Sequence, residues 1–144
     1  MFKNLFGKKV KPEIKPEVNT DNNPQVIAAS DCCKIPKGWG KEIIIHNSEK
    51  YCGKILYLVK DRKCSWHYHK VKDETFYVQS GKIELRYGKH DDIKMSTSVI
   101  LNKGDHFHIP IGLKHQMYAI EDTELFEFST QHFDEDSIRL EKGD

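Results

Sequence analysis

Eight short β-rich runs follow one another along this chain, at residues 42–46, 54–60, 75–79, 82–87, 96–101, 106–109, 116–120 and 125–129. Turn formers separate them: Asn47-Ser48, Gly81, Gly88, Asn102 through Asp105, Pro110 through Gly112, and Glu121-Asp122. The runs are too short and too closely punctuated for helices. Many short strands at even spacing build a sandwich or a barrel. Inside the runs, apolar and polar residues alternate: Ile83 and Leu85 with Glu84 and Arg86, Leu125 with Glu124, Phe126 with Glu127. One face of such a strand packs in a core and the other is wet. No sustained helical period occurs before the C-terminal stretch 134–142, which reads as one short helix or an extended tail.

One stretch carries chemistry. Trp66-His-Tyr-His-Lys-Val-Lys-Asp-Glu74 places two histidines at i and i+2 and a carboxylate five residues after the second. Side chains alternate faces in a strand, so His67 and His69 point the same way, and a short turn returns Glu74 to that face. Trp66 and Tyr68 then face outward or toward a second layer, where an aromatic surface suggests dimer packing. A second stretch, Gly104-Asp-His-Phe-His-Ile-Pro-Ile-Gly-Leu-Lys-His115, makes a tight turn at Pro110–Gly112 and opens the next strand with His115. The ligand set becomes His67, His69, Glu74 and His115. Imidazole nitrogen with a carboxylate suits one divalent ion, Zn, Mn, Fe, Ni or Co. His106 and His108 alternate with Phe107 and are expected on the outer face. His46, His90 and His132 show no ligand partners and are expected at the surface.

The pattern His67-x-His69-x4-Glu74-x6-Gly81, followed by Gly104-x5-Pro110-x-Gly112-x2-His115, closely resembles the two motifs of the cupin superfamily. The resemblance implies an all-β fold, a double-stranded β-helix or jelly-roll-like barrel, with one metal inside. Asp61 stands where the first motif often begins with glycine, and Ala119 where the second often ends with asparagine. A narrower resemblance involves Trp39-Gly40, Gly53 to Leu56, Glu127 to Thr130 and Glu135 to Glu141. These segments look like the type II mannose-6-phosphate isomerase cupin, which also occurs as the C-terminal part of a bifunctional mannose-1-phosphate guanylyltransferase/isomerase. That family often has glutamine where this chain has His67. Three histidines and a glutamate are more like germins and cupin dioxygenases.

The narrower resemblance implies a sugar-phosphate isomerase working by metal-assisted proton transfer through an enediolate. Glu127 is then the candidate base, and Lys54 and Arg139 are candidates for holding the phosphate. The plain alternatives are a solvated strand-face carboxylate for Glu127, an exposed lysine for Lys54, and a surface salt bridge from Arg139 to Glu135 or Asp136. Two other readings stand beside the isomerase: an Fe-dependent cupin dioxygenase, and a non-enzymatic cupin that binds a sugar or other polar small molecule.

Composition bounds the rest. A chain of 144 residues suits one domain, and a net charge of +1 argues against a general nucleic-acid binder. No apolar run approaches the roughly 20 residues of a membrane span, so no membrane is expected. Residues 1–10 lack the apolar run of a secretion signal, which places the protein in the cytosol. Cys32, Cys33, Cys52 and Cys64 read as free thiols in that compartment. Residues 1–34 read as a flexible N-terminal arm, with Phe2, Leu5 and Phe6 available to a partner subunit. Residues 35–144 read as a single cupin domain, expected to be a homodimer.

Overall fold

The computed structural model describes residue 24 and residues 26–144. Most of the expected arm, including Phe2, Leu5 and Phe6, lies outside the described residues. No helix among the described residues is long and apolar enough to cross a membrane.

The described residues form eleven strands in two sheets. In chain order they are β1 (Cys33–Lys37), β2 (Gly40–Asn47), β3 (Cys52–Leu58), β4 (Trp66–His69), β5 (Glu74–Ser80), β6 (Lys82–Gly88), β7 (Thr97–Asn102), β8 (His106–Ile109), β9 (Lys114–Ala119), β10 (Thr123–Ser129) and β11 (Ser137–Glu141). One sheet has the order β1-β2-β3-β10-β5-β8 and the other β11-β4-β9-β6-β7. The strand pairs are antiparallel. This is the expected all-β, jelly-roll-like architecture, and each of the eight expected runs overlaps a strand.

Alternation decides what lies between the sheets. Ile83, Leu85, Val78, Ala119 and Leu125 are fully enclosed, with Phe76, Leu58 and Ile109 beside them. The inward faces of three neighbouring strands change character along their length. On β3 they run Lys54, Leu56, Leu58; on β5, Glu74, Phe76, Val78; on β10, Glu127, Leu125, Thr123. All of these are buried. The interior therefore holds an apolar core in one part and buried charge in another.

One expectation is resolved and one needs correction. Residues 134–142 combine a very short helical turn with an extended run. A single 3₁₀ turn, Asp134–Asp136, leads into β11, which pairs with β4. Ser-Ile-Arg-Leu-Glu alternates too briefly to announce an edge strand. Trp66 does not form an exposed packing surface: it is 0% exposed, and its indole Nε1 donates to the Asp91 carbonyl at 2.7 Å. The chain beyond β6 folds back over it, which sequence alternation does not reveal. Tyr68 is half-buried with the Lys114 ammonium 5.0 Å from its ring centroid. His106 and His108 are exposed, and His108 Nε2 lies 2.9 Å from Asp73 Oδ2.

Candidate metal centre

Two turns bring the imidazoles together. After β8, Leu113 N–H donates to the Pro110 carbonyl, and Gly112 sits at φ 83°. A side chain is disfavoured there, which accounts for the glycine. Gly112 N–H donates to the His69 carbonyl at 2.9 Å, tying this turn to β4. His115 then pairs in register with His67 across β9 and β4. The second turn, residues 70–72, is held by one side chain. Asp136 accepts from the N–H groups of Lys70, Val71 and Lys72, each at 2.9 Å. Three successive donors converging on one carboxylate fix the path from His69 to Glu74. Asp61, where a glycine was noted as usual, adopts φ 63°. Aspartate is among the few residues that visit this left-handed region readily, so the substitution keeps the turn.

His67, His69 and His115 form a cluster whose ligand atoms lie within 4.8 Å of one another. His67 Nδ1 is 2.9 Å from the Ser65 carbonyl, and His115 Nδ1 is 3.0 Å from the Leu113 carbonyl. Carbonyls only accept, so both Nδ1 atoms carry the proton and both Nε2 atoms keep a lone pair. Burial and the neighbouring His115 hold the His67 pKa well below the usual imidazole value, so it stays neutral. Glu74 Oε1 lies 3.0 Å from His115 Nε2 and 3.3 Å from His69 Nε2. Both Glu74 Oε1 and His115 Nε2 are buried without a hydrogen-bond partner. Two electron pairs facing each other at 3.0 Å in a buried site are costly unless a cation lies between them. The donor set thus fits a divalent ion, with His67, His69 and His115 as the clustered imidazoles and Glu74 Oε1 as the adjacent carboxylate oxygen.

A network of buried charge adjoins the cluster. Lys72 Nζ lies 2.7 Å from Glu74 Oε2 and 2.7 Å from Glu127 Oε1. Lys54 Nζ lies 3.7 Å from Glu42 Oε2, 4.0 Å from Glu127 Oε1 and 3.1 Å from His132 Nδ1. Burial opposes ionisation of Glu74, but the Lys72 ammonium beside it holds its pKa well below the usual range. Burial likewise opposes ionisation of Glu127, and Lys54 and Lys72 outweigh it. Burial opposes the charge on Lys72, yet Glu127 and Glu74 raise its pKa above the ordinary lysine value.

The candidate residues therefore sit as follows. Glu127 and Lys54 are buried, paired in register on β10 and β3, and line one cavity with His67 and His69. Neither is the solvated strand-face residue that was the plain alternative. Arg139 pairs in register with His67, lines the same cavity and is exposed. Among the described residues it makes no ion pair or side-chain hydrogen bond, so the surface salt bridge to Glu135 or Asp136 does not form. His132 is corrected: it is half-buried, lines the cavity and contacts Lys54 rather than standing at the surface. Sequence reading missed Lys72, Asp136 and Glu42. Lys72 could have been found by extending the period-2 rule backwards from Glu74. Asp136 gives no local signal, since its partners are more than sixty residues away.

The cavity has a volume of about 570 Å³, within the range of small-molecule sites. Its walls combine Trp39, Ile35 and Leu56 with Lys37, Lys142 and the charged groups above. A family model described as a cupin domain matches residues 55–130, more than half of the chain. The chain belongs to the cupin family. No curated protein matches it. Among solved structures, this cupin is similar to CapF, a capsular polysaccharide assembling protein from Staphylococcus aureus, at 19% identity and TM-score 0.66, over 76% of this chain and 34% of that one. It is similar to KdgF from Halomonas sp. at 16% identity and TM-score 0.64, over 78% of this chain and 98% of that one. A tryptophan variant of oxalate decarboxylase from Bacillus subtilis shares 19% identity and TM-score 0.68, over 82% of this chain and 34% of that one. The cupin thus spans about a third of CapF and of the decarboxylase, and at these identities the likeness is one of fold.

Proposed function

We propose that this cupin is a metal-dependent enzyme acting on a small, oxygen-rich anion, and specifically a sugar-phosphate isomerase of the mannose-6-phosphate type. The observation that carries the proposal is Arg139. Its uncommitted guanidinium stands at the rim of the cavity lined by His67 and His69, in register with His67. A guanidinium without a protein partner beside such a cluster suits a phosphate or carboxylate in fork geometry.

In this reading His67, His69, His115 and Glu74 hold the metal, and the bound metal supplies Lewis acidity toward a carbonyl and its neighbouring hydroxyl. Arg139 holds the phosphate at the rim and orients the sugar inward. Glu127, kept ionised by Lys54 and Lys72, takes the proton from one carbon and returns it to the next. Trp39 and Ile35 cover the sugar and exclude water.

The test is purified protein loaded with zinc or manganese, metal content measured, and mannose 6-phosphate offered. Interconversion with fructose 6-phosphate is expected, and it should disappear in Glu127→Gln. No turnover across a panel of aldose phosphates, with metal shown to be bound, refutes the isomerase. The three-imidazole set favours a second reading, an iron-dependent dioxygenase. Oxygen consumption after iron loading, with no isomerase turnover, would establish it instead.

A further inference from the structure

Lys72 lies on the loop between β4 and β5 and is 4% exposed. It is fixed at both ends. Its backbone N–H donates to Asp136 Oδ2 at 2.9 Å, and its ammonium lies 2.7 Å from Glu74 Oε2 and from Glu127 Oε1. Glu127 is itself held by the Ser129 hydroxyl at 3.1 Å. The two oxygens of Glu74 are therefore divided. Oε2 faces a buried ammonium, and Oε1 faces the Nε2 atoms of His69 and His115.

A carboxylate can hold a metal through one oxygen or through both. Using both takes up one more coordination position and requires the carboxylate to turn. We propose that Lys72 is a positioning residue that restricts Glu74 to one-oxygen ligation and so keeps a coordination position open for substrate. This rests on the reading of the three imidazoles and Glu74 as a metal centre. The charge on Lys72 matters as well as its position. An ammonium between two carboxylates resists losing either, whereas a neutral side chain of similar length would let Glu74 rotate. The arrangement also explains why a buried lysine, costly in itself, sits next to a site built to receive a cation. Its charge is directed at the oxygen the metal does not use.

Water-proton relaxivity of the Mn²⁺-loaded protein tests this, because it counts exchangeable water on the ion and does not depend on turnover. The variants are Lys72→Met and the double variant Lys72→Met/Glu127→Gln. The second removes one buried cation and one buried anion together, so it avoids stranding a charge. Both should retain bound Mn²⁺, but relaxivity should fall by about half, as roughly two water positions on a six-coordinate ion become one. A folded double variant with bound Mn²⁺ and wild-type relaxivity overturns the role of Lys72 while leaving the metal centre in place. Wild-type protein that takes up no Mn²⁺, Zn²⁺ or Fe²⁺ overturns the metal centre, and the role of Lys72 with it.

Discussion

Replacing Asp136 with alanine should weaken both the fold and the metal site. The carboxylate accepts three backbone N–H groups at 2.9 Å. Lys70 and Val71 are exposed, so water can replace the acceptor for their N–H groups, at a cost of roughly 0.5 kcal/mol each. Lys72 is buried, and an orphaned buried donor costs about 1–3 kcal/mol. The total is about 2–4 kcal/mol, a fall in Tm of roughly 6–15 °C for a domain of this size. Asp136→Asn should lie between. Its remaining oxygen can serve Lys70 and Val71, but its amide would oppose the Lys72 N–H. Asp136 Oδ2 also lies 3.7 Å from His69 Nδ1. That is beyond hydrogen-bond reach, so the effect on the metal comes through the loosened path from His69 to Glu74, a loss of about 10-fold in affinity. Thermal melts in excess chelator give the first quantity, and competition with a chromophoric chelator the second. An alanine variant that melts within about 2 °C of wild type, with unchanged metal affinity, would refute the claim that one carboxylate organises this turn.

Four further outcomes are expected. His67→Ala should keep its fold, since the side chain is half-buried, and lose more than about 100-fold in metal affinity, checked by elemental analysis after dialysis. Arg139→Ala should raise KM for a phosphorylated substrate by about 10–100-fold, the worth of a charge-assisted contact, with little change in kcat and none toward the unphosphorylated sugar. In acid, stability of the metal-stripped protein should fall in two stages, seen as denaturation midpoints against pH. His132 has its pKa lowered by burial and by the Lys54 charge, so the unfolded chain takes the proton first, and stability is lost as pH falls below about 6.5, the ordinary histidine value. His67, lowered further by burial and by His115, costs stability over the same range, so His132→Gln should reduce that stage without abolishing it. Glu127, also lowered, adds its loss only below the ordinary carboxylate value of about 4.5. Burial pushes the Cys64 thiol up to about 12 and raises Cys52 as well. Both should resist a thiol reagent until the protein is denatured, whereas half-buried Cys32 and Cys33 react in the native state.

Which parts were legible from sequence follows from range. His67, His69 and Glu74 are close in sequence, and the strand period puts them on one face. Pro110 and Gly112 mark the turn that delivers His115. Each of these signals is local. Lys54 and Glu127 show the limit of alternation. The period correctly puts Glu127 on the face of Leu125, but polarity alone suggests the opposite face. Burial wins because the two are partners across β3 and β10, a pairing invisible until the sheet order is known. Trp66 likewise falls on the outer face by period and is enclosed by a loop more than twenty residues away. Asp136 and β11 act across more than sixty residues and left almost no local trace.

The pairing of β11 with β4 has a consequence for the order of events as the chain folds. The imidazoles at 67, 69 and 115 can approach one another once β4 and β9 meet. The carboxylate that locks the 70–72 turn and the guanidinium at the rim both arrive with the last strand. Contacts spanning so much of the chain form late. A nascent cupin that has not yet extruded residues 136–139 carries the ligands without their clamp. Firm metal retention is then expected to follow the docking of β11 on β4, which guards the centre against loading on a half-made barrel.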